Sequence, residues 1–510
     1  MQKFALDHIK SFTHSNEIEI KPITVFVGKN SCGKSSLLRF PIVLAQTFKE
    51  DALTPLLLFG KFIDYGNYDD VVYRHKEQSI GFKLAFGPEA ADYIQRRYRF
   101  QRNYTNTYFK AANKTKTIEI QVYIHKPGKK LLVQEIKLTV NGEELCSLCQ
   151  EKNIFTFKFH QLYASETWKT HEIKITLSNI KFNKFIPKLD ECELLKQYLS
   201  DNKILKEGIA DISEHGFMQD LLEYIETNVC EEEQIKAKAV LHTTYIINGY
   251  FSGIQVCLEN EADSISYIGP FRESPKRTYR DSESSVKDVG VYGENVSMIL
   301  RQAAQSDHKL LENVSTWLQK TMGYSLDIKD AGNGLYSLII CGNEESDNII
   351  DVGFGISQVL PIVTQLFHTD TYEQRLYSPY RKYKKTVVFE QPEIHLHPAA
   401  QAQLADLFVN CVSNKSDVKR ILIETHSEHL IRKLQVLAAD PDVPISNDQI
   451  AIYYVDKDHN GDSYVTKMGL NKNGQFEKTW PNGFFDKSYE LTKMLLHANS
   501  KNRQQENQND

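Results

Sequence analysis

Apolar residues follow two different rhythms along this chain. Near its start they form an unbroken run, Ile23 to Gly28 (ITVFVG), and comparable runs recur far downstream at 265–269, 336–341, 385–390, 420–424 and 450–455. Short continuous apolar runs alternating with helix-like stretches predict the buried strands of an α/β sheet. Between about Ile118 and Ile180 the rhythm becomes strictly alternating, in TIEIQVYI, VQEIKLTV, NIFTFKF and EIKITL. Pro127-Gly128 and Asn141-Gly142 punctuate those segments, and the combination predicts an antiparallel meander. Stretches near 190–200 and 216–246 read as amphipathic helices, without the sustained heptads of a long coiled coil. A further helix is expected from Ser35 onward, with Pro41 kinking or ending its first stretch. The segment from Asn499 to Asp510 has almost no apolar residues and is expected to be disordered. No internal repeat is visible.

Composition narrows the class. At 510 residues and 58.7 kDa the chain is long enough for two or three structural units. Its 61 basic and 66 acidic side chains leave a net charge of -5, so contact with nucleic acid would need a local patch rather than bulk charge. No apolar run approaches the roughly 18 residues of a membrane helix. Asp7, His8 and Lys10 occupy the place where a signal peptide needs its apolar stretch. Eight scattered cysteines do not make a disulfide framework, and a reducing cytoplasm is the expected compartment. Cys146 and Cys149 form a lone CxxC without a second pair, which reads as two ordinary thiols.

The most specific local signal follows the first strand at once: Gly28-Lys29-Asn30-Ser31-Cys32-Gly33-Lys34-Ser35, then Ser36 in the helix. Strand, glycine loop and helix is the setting a phosphate-binding loop requires. Its backbone N–H groups and the positive helix end surround a β-phosphate, Lys34 bridges the β- and γ-phosphates, and the Ser35 hydroxyl is a magnesium ligand. Far downstream, Thr386-Val-Val-Phe389-Glu390-Gln391-Pro392-Glu393 is an apolar strand ending in carboxylates, the pattern of a Walker B element, with Glu390 in the magnesium shell. Ile421-Leu-Ile-Glu424-Thr425-His426 delivers a histidine to another strand end, where open α/β sheets bind ligands. Asp351-Val-Gly353-Phe-Gly355-Ile-Ser357-Gln358 reads as a second anion-binding helix start. One nucleotide does not need two such sites from one subunit, so two subunits facing each other would sandwich ATP between the loop of one and Ser357 of the other.

These motifs, in this order, resemble the ABC-type ATPases, in the branch holding the OLD-like and SMC-like proteins. The resemblance is strongest to the stand-alone AAA ATPases of bacterial antiphage systems such as Septu and PARIS. It rests on GKNSCGKS, GFGISQVLPI, EQPEIHLHP and ETHSEHL and covers about residues 1–80 and 265–490. YIGPFRESPKRTYR at 267–280 and FEKTWPNGFFD at 476–486 look like elements of a bacterial subfamily of unassigned function. The resemblance implies Mg-ATP as ligand, His426 as a switch histidine at the γ-phosphate, and Ser357 reaching the γ-phosphate of a partner's ATP. It also implies a homodimer or larger homo-oligomer, and an effector protein, commonly a nuclease encoded nearby, that reads the ATPase. One position departs from the family: the usual catalytic glutamate after the Walker B acid is Gln391 here. An amide positions water but cannot take its proton, so either Glu393 supplies the carboxylate or hydrolysis is slow. Gln46 comes too early to be assigned as the glutamine-loop residue.

The expected architecture is therefore an α/β, ABC-type ATPase head built from both chain ends. Its expected parts are an N-terminal lobe at 1–84, a β-meander and helical insertion at 85–262, a C-terminal lobe at 263–498 and a tail at 499–510. In the insertion, Arg96, Arg97, Arg99, Arg102, Lys110, Lys114 and Lys116 interleave with Tyr93, Tyr98, Phe100, Tyr104, Tyr108 and Phe109. Cations and rings together suit single-stranded or backbone nucleic-acid contact, or else form a solvated strand face whose rings turn into the core. Arg272, Lys276, Arg277 and Arg280 make a smaller cluster that suits a nucleotide or an interface equally. Competing functions are a self-contained OLD-type nuclease using Asp456 and Asp458, a DNA-repair or chromosome-maintenance ATPase, a transporter ATPase, and a scaffold that holds ATP without turning it over.

Overall fold

The computed structural model describes residues 1–76, 78–91, 115–152, 154–162, 168–177, 180–204, 217–284, 286–306, 309–343, 345–368, 385–414, 419–480, 491 and 493–495. In chain order its strands begin with β1 (Lys3–Ile9), β2 (Phe12–His14), β3 (Ile18–Glu19), β4 (Ile23–Gly28), β5 (Ile80–Phe86), β6 (Ile118–His125) and β7 (Leu132–Val140). They continue with β8 (Glu143–Glu151), β9 (Ile154–Leu162), β10 (Trp168–Leu177), β11 (Lys181–Asn183), β12 (Ile186–Lys188), β13 (Ile265–Ile268) and β14 (Tyr279–Arg280). The last are β15 (Ser325–Gly332), β16 (Leu335–Cys341), β17 (Ser346–Asn348), β18 (Lys385–Glu390), β19 (Lys419–Glu424), β20 (Ile450–Lys457) and β21 (Ser463–Lys467). The helices are α1 (Lys34–Lys49), α2 (Tyr68–Val71), α3 (Glu191–Asp201), α4 (Phe217–Asn228), α5 (Glu231–Ser264), α6 (Val296–Ser306), α7 (Lys309–Met322), α8 (Phe354–Phe367), α9 (Pro398–Ser413) and α10 (Glu428–Ala439).

The chain forms two compact units, one of residues 1–20 and 39–265, the other of 21–38 and 266–510. This division differs from the expected lobes at 1–84 and 85–262. The physical reason is backbone pairing: β1 bonds to β5 and β5 to β6, so the first strands and the meander share one sheet. That sheet runs β10-β9-β8-β7-β6-β5-β1-β2, with β3 also on β1. The Asn141-Gly142 pair closes the β7–β8 hairpin with φ of 52° and 86°, the left-handed pair of a two-residue type I′ turn. In the same unit Phe4, Phe40, Phe82, Phe185 and Phe48 touch ring to ring in sequence, at centroid distances of 5.1 to 5.8 Å. Gln46 is fully buried and bonds the Leu57 carbonyl and the Ile63 N–H, which occupies its amide in holding a loop.

The second unit is built on a six-stranded sheet of order β13-β18-β19-β4-β20-β21. β18, β19, β4 and β20 are mutually parallel, and β21 is antiparallel at the edge. Their interiors are buried almost without interruption, which is why they read as unbroken apolar runs rather than alternating ones. A smaller sheet, β14-β16-β15 with β17 on β16, accompanies it. Residues of α6 to α10 and of both sheets meet in one apolar core.

Two expectations need correction. α1 continues through Pro41 to Lys49, because Leu37, Leu38, Phe40, Ile42 and Val43 are all buried and their packing outweighs one missing N–H. The helix expected over 216–246 is two, with a break at Val229-Cys230, and the second runs on to Ser264. Cys146 and Cys149 lie three residues apart on β8, hence on opposite faces, and burial pushes the Cys146 thiol up. Among the described residues no helix is long and apolar enough to cross a membrane. The tail from 499, most of the 93–118 patch and residues 481–486 lie outside the described residues.

Candidate functional site

β4 ends at Gly28, and the loop between it and α1 is shaped by three left-handed residues. Gly28 has φ 146°, Ser31 φ 59° and Gly33 φ 100°. A Cβ at Gly28 would lie 1.9 Å from the Val455 carbonyl oxygen of the neighbouring β20, so glycine is required for the strands to close over the loop. Asn30 and Ser31 are exposed, while Ser35 and Ser36 in the first turn of α1 are half-buried. Cys32 is buried, with its sulfur 2.8 Å from the Lys29 carbonyl and 3.0 Å from that of Val455. Burial pushes its thiol up, so its side chain fixes the loop and only its backbone can face a ligand.

Lys34 is 3% exposed and donates to the Lys29 carbonyl at 2.6 Å. Its Nζ lies 4.0 Å from Glu424 Oε1. Glu424 ends β19, opposite Glu390 at the end of β18 and Phe26 in β4. The loop, Glu390 and Glu424 therefore stand together at the carboxyl ends of adjacent parallel strands, the position where open α/β sheets bind ligands. Glu390 is 3% exposed and accepts a hydrogen bond from the Tyr267 hydroxyl at 2.7 Å.

After β18 the chain turns sharply. Gln391 takes φ 46° and its backbone N–H donates to the Glu424 carbonyl at 2.8 Å, tying the two strand ends together. Glu393, two residues on, accepts from the His426 N–H at 2.7 Å and from the Thr425 hydroxyl. Burial pushes its carboxyl above the usual range, and its second oxygen is buried without a hydrogen-bond partner. His426 is exposed, and its imidazolium is disfavoured by partial desolvation and then by the Lys34 ammonium. Ser427 caps α10 by accepting from the Leu430 N–H at 3.0 Å.

The Gly355–Ser357 segment opens α8, with Gly353 at its N-cap. A Cβ at Gly355 would lie 3.0 Å from the His395 carbonyl, so the helix start abuts the turn beyond β18. Ser357 turns its hydroxyl onto the Phe354 carbonyl at 2.8 Å, while Phe354 itself is 66% exposed.

The cluster of four cations separates in the structure. Arg272 is buried and donates to the Glu390 carbonyl. Lys276 pairs with Glu273 at 2.9 Å, and Arg277 pairs with Asp351 through both guanidinium arms. Arg280 lies in β14. Asp456, the carboxylate of the nuclease alternative, bonds Lys29 of the loop at 2.9 Å and the Tyr454 hydroxyl at 2.8 Å. It lies on β20, a strand of the same sheet.

The sequence singled out Glu390, Gln391, Glu393 and His426 but passed over Glu424 and Tyr267. Glu424 carries the same signal as Glu390, an acid closing an apolar strand, and the histidine two positions later drew attention from it. Tyr267 has no local signal, because its partner is 123 residues away. The two groups expected at magnesium are the Ser35 hydroxyl and the Glu390 carboxylate. They are hard oxygens, and Mg²⁺ is characteristically held by one or two such groups with phosphate and water completing its shell. Among the described residues no cluster of three or more His, Cys, Asp or Glu that could hold a metal ion is present.

A family model described as "AAA ATPase domain" matches residues 8–431. A second, described as "Protein of unknown function (DUF3696)", matches residues 445–495. No curated protein matches. Similar solved structures include an Smc head bound to the C-winged helix domain of ScpA, at 12% identity, covering 92% of this chain and 98% of that one, with TM-score 0.38. Others are the Pyrococcus furiosus Smc head with an extended coiled coil, bound to the C-terminal domain of ScpA (13% identity, 92% and 96% covered, TM-score 0.37), and the SMC head domain from Thermotoga maritima (11% identity, 92% and 98% covered, TM-score 0.34).

Proposed function

Because the chain belongs to the AAA ATPase domain family, we propose that it works as an ATP-dependent dimeric switch that binds Mg-ATP, hydrolyses it slowly and regulates a separate effector protein. The fold class is the expected one, an α/β P-loop ATPase head whose sheet draws β4 from one end of the chain and β18 to β21 from the other. The observation that carries the reading is the meeting of Lys34, Glu390 and Glu424 at neighbouring strand ends.

In this reading the loop from Gly28 to Ser36 cradles the phosphates with its backbone and the amino end of α1. Lys34 exchanges the Lys29 carbonyl for β- and γ-phosphate oxygens. Ser35 and Glu390 hold magnesium, which when bound neutralises charge on those phosphates. Glu393 fixes the turn that presents His426 to the γ-phosphate. Gln391 orients water without accepting its proton, which makes turnover slow and the ATP state long-lived. Ser357 completes the site of a second subunit, so ATP joins two copies. The effector is a toxic protein, a nuclease by preference, in an antiphage system; the resemblance of GKNSCGKS, GFGISQVLPI, EQPEIHLHP and ETHSEHL supports this. Cytoplasmic action goes with that role.

The test compares the wild-type chain with Lys34→Ala, measuring ATP affinity, phosphate release and ATP-dependent dimerisation. The reading expects all three to be lost in the variant. Unchanged ATP affinity in Lys34→Ala would overturn the site assignment. Plasmid cleavage by the purified chain alone, lost in Asp456→Ala, would replace the switch with the self-contained nuclease.

A further inference from the structure

ATP hydrolysis is accelerated by a carboxylate that meets the attacking water, and the amide of Gln391 cannot serve as one. Two other carboxylates stand nearby. Glu393 is 8% exposed, and it accepts from the His426 N–H and the Thr425 hydroxyl. One of its oxygens holds the turn before His426 and the other is buried without a hydrogen-bond partner, whereas of these two carboxylates it is Glu424 that pairs with Lys34.

Glu424 is just as enclosed but is placed differently. It stands in register with Glu390 on one side and with Phe26 on the other, two residues before Gly28. Side chains in register on neighbouring strands share a face of the sheet, so Glu424 lies on the side of Glu390. It is directed at Lys34, with 4.0 Å between Oε1 and Nζ. Lys34 marks where the β- and γ-phosphates sit, so this carboxylate is already at the reacting end of the nucleotide. The Gln391 N–H bonded to the Glu424 carbonyl at 2.8 Å keeps the two positions adjacent.

We propose that Glu424 is the carboxylate that takes the proton of the water Gln391 orients, from a neighbouring strand end and more slowly than a carboxylate at position 391 would. The proposal rests on the ATPase reading above. In the step, the water oxygen bonds to the γ-phosphorus as the bond from that phosphorus to the β,γ-bridging oxygen breaks, its electron pair leaving with ADP. One water proton passes to the Glu424 carboxylate and is then released to solvent, so the products are ADP and inorganic phosphate. Between turnovers the same carboxylate is the counter-ion of Lys34.

The experiment uses the full chain as wild type, Glu424→Gln, Gln391→Glu and the double variant, measuring phosphate release and, separately, ATP affinity by titration calorimetry. Glu424→Gln should lower turnover by about 100-fold or more while ATP affinity stays close to wild type, which also shows that the variant is folded. Adding Gln391→Glu to Glu424→Gln should restore turnover by about tenfold or more, because a carboxylate is returned to the water from the neighbouring strand end. Normal turnover in Glu424→Gln would overturn the proposal and leave the ATPase reading standing. Lost ATP affinity without rescue by Gln391→Glu would also overturn it, making Glu424 a holder of Lys34 only. No turnover in wild type above Lys34→Ala would overturn the ATPase reading and this proposal together.

Discussion

One guanidinium nitrogen of Arg272 donates to the backbone carbonyls of both Glu390, at 2.9 Å, and Gln391, at 3.3 Å. A buried cation thus closes the turn after β18, with burial lowering its pKa to about 10 against the opposing pull of Glu393 and Glu390. Arg272→Met removes both bonds and leaves two nearby carboxylates without their cation. It should destabilise the protein by about 3 kcal/mol, read as a fall in the denaturant midpoint. A midpoint equal to wild type would show that Arg272 does not hold this turn.

Gly28→Ala should be more damaging than its size suggests. The new methyl would collide with the Val455 carbonyl, and φ of 146° is closed to alanine. Either β4 separates from β20 or the loop changes shape. ATP affinity should fall by about tenfold or more, with a lowered thermal midpoint. Retention of both would mean the loop tolerates a different path.

Asp456→Asn releases Lys29 from its tether. Burial raises the Asp456 carboxyl, but Lys29, the Lys457 N–H and the Tyr454 hydroxyl together hold it below the usual range. Lys29 is exposed and its pairing is screened by solvent, so the effect on stability should be small. The effect on nucleotide should be larger, because Lys29 begins the loop; weaker ATP binding with little change in thermal midpoint is the expected pattern. Equal ATP affinity would show that the tether does not shape the loop.

His368 gives the protein a pH dependence of known sign. Burial first, then Lys385 and Lys419, hold its pKa down to about 4 from 6.5, against a weaker pull from Asp288 and a backbone bond to Lys287. The folded form resists a proton that the unfolded chain accepts, so stability falls as pH drops from 6.5 towards 4, by at most about 3 kcal/mol. His368→Gln should flatten the denaturation midpoint over that interval. An equally steep loss in the variant would place the acid sensitivity elsewhere.

The strands that build the site were legible because they are buried on both faces. Ile23–Gly28, Lys385–Glu390 and Lys419–Glu424 are nearly continuous apolar runs, each ending in a loop or an acid. The Asn141-Gly142 turn was legible for another reason, since its two left-handed residues are chemically distinctive. Pairing across long sequence separations was not. Nothing in Lys3–Ile9 announces that it bonds to Ile80–Phe86, and for that reason the expected boundary at 84 cut through a sheet. The same limit hid Tyr267 and the bond of Arg272 to the turn after β18, whose partners lie more than 110 residues away.

The central position of β4 carries a cost in time. This strand is synthesised about 390 residues ahead of β19 and β20, between which it lies and whose residues run from 419 to 457. At about 5–20 residues per second, the ribosome takes on the order of half a minute or more to supply its neighbours. Through that interval ITVFVG is a sticky, unpaired segment with both edges open, the kind of surface that invites aggregation. Production of the active protein is therefore expected to depend on translation speed and on chaperones more than its final stability would suggest.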